Sequence, residues 1–243
     1  MNTPSAAVTC MEPIQALTLW KDTALRSGEE SMAADELLLS LGGSWLRTYH
    51  WKKPTVTYGF FDTEGEARRL FPEAGIRFVR RWTGGGIVDH RRDVPFTLVL
   101  AREDKPERPS SAELYRWIHG RLACVFQTLG LECRLLSADA PGGGRSCWAS
   151  PVISDLVDAS GRKLAGGGQR RTPRGVLHQG SIQGCTPPGG WDELFARRLA
   201  CGVRVIEADA PVPDFQNRVA ALCREKYASA AWRDDSRGRR RHS

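Results

Sequence analysis

The sequence predicts an α+β layered domain, and three observations carry that expectation. Runs rich in β-branched and aromatic residues recur at 46–51, 55–61, 77–82, 87–90 and 95–101, punctuated by Pro54, Gly59 and the triplet Gly84, Gly85, Gly86. A strong amphipathic helix pattern covers 112–129. Strand and helix patterns are mixed along the chain rather than strictly alternating, so a plain succession of βαβ units is not expected.

Each element has a local reason. Residues 1–30 have weak periodicity and read as a loosely attached lead-in with a first strand near 16–20. Ser31 is a plausible N-cap for a short helix whose apolar stripe, Ala33, Ala34, Leu37, Leu38 and Leu41, ends at Gly42 and Gly43. In the long helix, Ser110 and Glu113 form a capping-box pattern. Leu114, Ile118, Leu122, Val125, Phe126 and Leu129 line one face, and Gly130 stops it. A strand at 132–136, a glycine link at 142–144, strands at 152–158, 163–165 and 175–183, and helices near 191–200 and 214–227 complete the order. One domain is expected over 31–230, followed by a basic end, 231–243, that reads as solvated and disordered.

Composition narrows the function classes. At 243 residues and 41% hydrophobic, the chain can bury a sizeable core. It has no run of eighteen apolar residues, and its first thirty positions hold Asp22, Glu29 and Glu30 without an apolar h-region, so neither a membrane span nor a secretory signal is expected and the default address is the cytoplasm. Seven scattered cysteines, with no Cys-x-x-Cys pair, argue against a disulfide framework or a zinc site, and no metal site is expected. The net charge of +7 favours an acidic partner through long-range steering, with no need to invoke nucleic acid.

Three constellations could carry chemistry. In Arg80-Arg81-Trp82-Thr83-Gly84-Gly85-Gly86, glycines after a strand let main-chain N–H groups approach an anion or acyl carbonyl, while the arginines add charge-assisted donors; a tight turn would look the same. Lys163, followed by Gly166, Gly167 and Gly168, is either a cleft-facing ammonium that binds a carbonyl or a surface lysine on an edge strand. Cys147 is either a nucleophile, activated if the fold brings Lys163 close, or an inert core thiol. His90 and His178 are each either a base or hydrogen-bonded packing.

Taken together, these motifs resemble the lipoate and octanoate attachment enzymes of the biotin/lipoate protein ligase superfamily. The resemblance covers roughly 32–183: MAADELLL at 32–39, RTYHWKKPTVTYGFF at 47–61, RRWTGGGIVDH at 80–90 and GRKLAGGGQRRTPRGVLHQGSI at 161–182. It implies the catalytic-domain fold of that superfamily, a mixed, largely antiparallel sheet with packed helices. It also implies that Lys163 contacts the acyl carbonyl and that the loop 84–86 walls the acyl pocket. Within the superfamily the chain looks most similar to the cysteine-dependent octanoyltransferases, because Cys147-Trp148-Ala149-Ser150-Pro151, Asp155-Leu156-Val157 and Gly161-Arg162-Lys163 reproduce their order. The pattern departs at Gly166-Gly167-Gly168 and at Asp93-Val94-Pro95-Phe96-Thr97, which bears on substrate choice.

The expected activity is therefore transfer of an octanoyl or lipoyl group from acyl carrier protein to a lysine of a lipoyl domain through a Cys147 acyl-enzyme, with no tightly bound cofactor. Cys147 and Lys163 are the expected catalytic residues. Arg80, Arg81, Thr83, Gly84, Gly85, Gly86, His90, Gly166, Gln169, His178 and Gly180 are the expected substrate contacts. The competing readings are an ATP- and Mg-dependent lipoate-protein ligase, in which Gln169, Arg170 and Arg171 bind an adenylate phosphate, and a non-enzymatic scaffold for an acidic lipoyl domain.

Overall fold

A computed structural model describes residues 11–105, 108–138 and 151–233. In chain order the elements are β1 (Ile14–Asp22), α1 (Gly28–Leu41), β2 (Trp45–Thr48), β3 (Thr55–Tyr58), α2 (Glu64–Leu70), β4 (Arg77–Arg80), β5 (Val88–Asp89) and β6 (Val94–Ala101). There follow α3 (Ser111–Thr128), β7 (Arg134–Leu135), β8 (Leu156–Val157), β9 (Lys163–Thr172), β10 (Gly175–Ile182), α4 (Trp191–Leu199) and β11 (Ala200–Ala208). Then come α5 (Phe215–Leu222), a π-helical turn (Cys223–Tyr227) and α6 (Ala230–Arg233).

Eight strands form one sheet in the order β11-β1-β2-β6-β10-β9-β8-β7, and β4-β3-β5 form a second. In the large sheet β1 runs parallel to β2 and β11, and the other pairs are antiparallel. The architecture is thus α+β with a mixed, mostly antiparallel sheet, as the resemblance implied.

Both faces of the large sheet are covered. On one face Leu46, Phe96, Leu98 and Leu100 pack with Leu114, Ile118, Leu122 and Phe126 of α3 and Phe195 and Leu199 of α4. On the other, Trp20, Trp45, Val99 and Leu177 pack with Met32, Leu38 and Leu39 of α1 and Phe215 and Val219 of α5. Each such side chain contributes about 1.5–3 kcal/mol when fully buried. The α3 stripe therefore does what its periodicity implied, and Ser110 with Glu113 closes the capping box in both directions.

Several expectations need correction. The segment before residue 30 is not a loose lead-in over its described part, because β1 lies between β2 and β11 and buries Leu17, Leu19 and Trp20. The first helix is capped by Ser27, whose side chain accepts the Glu30 amide while Glu30 reaches back, so the Ser-x-x-Glu signal lies four residues earlier than Ser31. Strand 163–165 is the start of a ten-residue strand, since the glycine triplet pairs with β10 residue for residue instead of forming a flexible loop. β11 and α2 were not anticipated; β11 is largely exposed and so lacks an apolar stripe. Residues 231–233 are not a solvated end, since Trp232 is buried against the second core. The expected link at 142–144 and the rest of the basic end lie outside the described residues.

A buried ionic network crosses from β1 to β2 and α1. Arg47 lies 2.7 Å from Asp22 and 2.6 Å from Asp35, with all three side chains fully buried, and Arg26 reaches Asp22 at 2.9 Å. Burial pushes the Asp35 carboxyl up, against the opposing pull of Arg47 and a hydrogen bond from Gln179. Removing one member of such a network strands the others in a low-dielectric interior. Arg47→Ala should therefore lower unfolding stability by about 3–5 kcal/mol. Urea denaturation followed by tryptophan fluorescence will check this, and a loss under 1 kcal/mol would contradict it.

Candidate active site

The site is built where β9 and β10 meet the loop after β4. Cross-strand pairing places Gly166 opposite Ser181 and Gly168 opposite Gln179, so these four share one face of the sheet. Gly167, Gln169, Gly180 and His178 share the other. The first face forms one wall of a cleft. Its walls include Met32, Tyr49, Trp51, Arg81, Gly85, Val88, His90, Lys163, Gln179 and Ser181.

A side chain at any of three successive positions would displace a neighbour. A Cβ at Gly166 would lie 2.3 Å from Lys163 Cε, one at Gly167 would lie 2.6 Å from His178 Nε2, and one at Gly168 would lie 2.2 Å from the Gly84 carbonyl oxygen. The glycine loop thus rests directly on β9, and the Gly84 amide donates to the Gln169 carbonyl at 3.4 Å.

Lys163 is 4% exposed and sits 2.7 Å from Asp155, which is fully buried. The edge-strand surface lysine is thereby excluded. Asp155 Oδ2 also accepts the Val152 amide at 2.8 Å, and Oδ1 accepts the Tyr115 hydroxyl at 2.6 Å. A buried ammonium held by a carboxylate at a cleft wall can stabilise negative charge developing on a carbonyl oxygen.

A second polar chain lines the opposite wall. Arg81 can only donate, and it reaches Thr57 Oγ1 at 2.5 Å, so the Thr57 proton points to His90 Nε2, 2.6 Å away. His90 Nδ1 then donates to Asp93 at 2.5 Å, and Asp93 accepts the Ser181 hydroxyl at 2.6 Å. Arg81 also donates to the Gly86 carbonyl at 2.8 Å, so its charge braces the loop. Gln179 accepts from Thr83 at 2.8 Å and donates to Asp35 at 2.7 Å, which couples the loop to the ionic network.

Of the residues singled out in the sequence, Arg81, Gly85, His90, Lys163, Gly166 and Gly180 line the cleft. Arg80 does not. As the last residue of β4 it donates to the carbonyls of Trp232 and Phe60 at 2.7 and 2.5 Å and stacks over both rings, whereas Arg81, just past the strand, turns to Thr57 and Gly86. Thr83 instead donates to Gln179, the Gly84 carbonyl lies against Gly168, and the Gly86 carbonyl accepts from Arg81. Gln169 and His178 lie on the opposite face, where His178 stacks on Phe96 beside Tyr115 and His119. Arg170 stacks against Phe60 and Trp82, and Arg171 donates to Ser111.

Cys147 lies outside the described residues. None of the five described cysteines lines the cleft. Burial pushes Cys133 up to about 11 and also raises Cys185 and Cys223, which disfavours their thiolates.

Met32, Tyr49, Trp51, Val88, Gln179 and Ser181 were not singled out as site residues, nor was Asp155. Their signal was present only as membership in the motif segments 32–39, 47–61, 80–90 and 161–182 and in the Asp155-Leu156-Val157 strand.

This fold is shared with solved lipoate protein ligases. A lipoate-protein ligase A bound with ATP superposes with a TM-score of 0.64 at 18% identity, covering 91% of this chain and 98% of that one. A bipartite lipoate protein ligase, studied with its E2 lipoyl domain from Thermoplasma acidophilum, gives 0.61 at 17% identity, over 90% and 96%. Residues 27–223 match the lipoyl protein ligase A/B catalytic domain, and the chain belongs to that family. An octanoyltransferase LipM of Brevibacillus brevis is 33% identical over 177 residues, 66% of this chain and 63% of that protein. One of Symbiobacterium thermophilum is 32% identical over 181 residues, 68% and 65%. The chain thus spans a little under two thirds of these relatives' length. Among the described residues no helix is long and apolar enough to cross a membrane.

Two predictions arise from this geometry. Gly168→Ala should cost about 1–3 kcal/mol, because the new methyl meets a backbone carbonyl that cannot move cheaply. Gly84→Ala, whose methyl would meet only Phe61 at 3.8 Å, should stay within about 0.5 kcal/mol, and thermal unfolding of both will compare them. The second concerns pH. Burial holds His119 near 4 and His178 well below the ordinary 6.5, so between these values the unfolded chain binds more protons. The stability they contribute is complete above 6.5 and is lost as pH falls toward 4. For His119 alone the loss is on the order of 3 kcal/mol. Denaturation midpoints measured across that window should fall with pH, and should fall less in His119→Gln.

Proposed function

We propose that this protein transfers an octanoyl or lipoyl group to the acceptor lysine of a lipoyl domain, with Cys147 as the nucleophile. The carrying observation is the buried Lys163–Asp155 pair on the wall of a glycine-built cleft. The kinship with octanoyltransferases LipM supports the acyl chemistry. Three features support Cys147. It belongs to the Cys-Trp-Ala-Ser-Pro stretch, it stands five residues before Val152, whose amide bonds the lysine's own carboxylate partner, and none of the described thiols faces the cleft.

In this reading the Cys147 thiolate attacks the carbonyl carbon of an acyl thioester presented by acyl carrier protein. The carbonyl electron pair moves to oxygen, where Lys163 stabilises the charge. Collapse expels the carrier thiolate and leaves a thioester on Cys147. The acceptor amine then attacks that thioester, loses a proton, and the Cys147 thiolate departs as the amide forms. The cleft wall made by Trp51, Val88 and Met32 holds the acyl chain away from water, and the +7 charge favours the acidic carrier and acceptor domains.

Intact-mass analysis after incubation with octanoyl-carrier protein, without ATP, should show one added octanoyl group. Cys147→Ala should show none and should lose transfer by at least about 10³-fold. Full turnover of the Cys147→Ala protein with free lipoate and Mg-ATP would replace this reading with the adenylate-forming ligase.

A further inference from the structure

Three donors converge on Asp155 from three parts of the chain. Lys163 of β9 and the Val152 amide share Oδ2, at 2.7 and 2.8 Å, and the hydroxyl of Tyr115, on α3, donates to Oδ1 at 2.6 Å. The same hydroxyl oxygen accepts the Gly167 N–H at 2.9 Å. That amide has no strand partner on this side, because β8 pairs with β9 only as far as Ala165, and at a half-buried position a backbone donor left unmade still costs stability. One hydroxyl therefore joins α3, the carboxylate that faces Lys163, and the glycine segment under the cleft.

The ring that carries it is itself held in place. Tyr115 packs on His119 at 4.0 Å and on His178 at 5.6 Å between ring centroids. On the other side, a Cβ at Gly166 would come within 2.9 Å of Asp155 Oδ1, so the carboxylate reaches this position only against glycine.

We propose that Tyr115 is a positioning residue for the acyl transfer, fixing the Asp155 carboxylate so that Lys163 is aimed into the cleft. This inference rests on the reading of function given above. With the hydroxyl in place both carboxylate oxygens are engaged and the side chain cannot turn about χ2. Without it Oδ1 loses its donor, Gly167 loses its acceptor, and the ammonium follows a carboxylate free to rotate. A misplacement of about 1 Å at a group that stabilises a transition state costs on the order of 10²-fold in rate.

Tyr115→Phe keeps the ring and removes both hydrogen bonds, and it should be compared with the unmodified full chain in octanoyl transfer from carrier protein. Its kcat should fall about 10- to 100-fold while the KM for the carrier stays within about threefold. Hydrogen exchange at the Gly167 amide should quicken in the same protein. Phe126→Leu, a core change on the same helix but away from the hydroxyl, measures what loosening α3 does by itself, and its kcat should stay within about twofold. Retained kcat in Tyr115→Phe, or an equal loss in Phe126→Leu, overturns the proposal. If the unmodified chain transfers no octanoyl group, the functional reading fails, and the side-chain ¹⁵N resonance of Lys163 decides the positioning separately. A shift of that resonance in Tyr115→Phe supports the role, and an unchanged resonance overturns it.

Discussion

The whole site depends on how closely three groups approach one strand. At Gly166 the Lys163–Asp155 pair presses against the β9 backbone, at Gly167 the imidazole of His178 does so from the opposite face, and at Gly168 the Gly84 carbonyl closes on it from the cleft side. Side chains alternate across a strand, so three residues in a row can meet three different neighbours only if none has a side chain of its own. The stretch stays extended because β10 pairs with it along its length, which offsets the conformational freedom that glycine would otherwise keep. Flexible by composition, the segment is held rigid by its neighbours.

The cleft is then held from both sides by buried polar chains whose members satisfy one another. One runs from Arg26 through Asp22, Arg47 and Asp35 to Gln179 and Thr83, and so connects the first strand and first helix to the glycine loop. The other runs from Arg81 through Thr57, His90 and Asp93 to Ser181. Arg47 and Arg81 are spent on bracing, and burial makes each broken link expensive. In the proposed function it is the Lys163 ammonium, also at the cleft wall, that acts on the carbonyl.

Much of this was legible in the residues, though not evenly. The α3 helix could be read almost to its ends, because the capping box and the apolar stripe are interactions within one element. The same local rule misplaced the start of α1, where Ser31 competed with the better box at Ser27 and Glu30. Lys163 and the Gly84–Gly86 loop stand out in their motifs, yet Arg80 and Arg81 look equivalent in the sequence and are not, since consecutive residues of extended backbone point opposite ways and Arg81 follows the last residue of β4. His178 reads as a site residue from its motif and faces the core, for the same reason. Gln179, its neighbour, faces the cleft.

The sequence by itself determined the element order apart from α2 and β11, the capping of α3, the apolar stripes that cover the large sheet, and the family to which the motifs point. These follow from contacts a few residues apart, where periodicity and side-chain chemistry act directly on the local backbone. Only the tertiary structure decided that Asp155 is the partner of Lys163, that Tyr115 of α3 reaches both Asp155 and Gly167, and that Gly84 lies on Gly168. Those choices depend on which strands become neighbours and in what register. Register is set by burial of whole faces against residues far away in the chain, and a shift of one residue would exchange the cleft face of β9 for the core face.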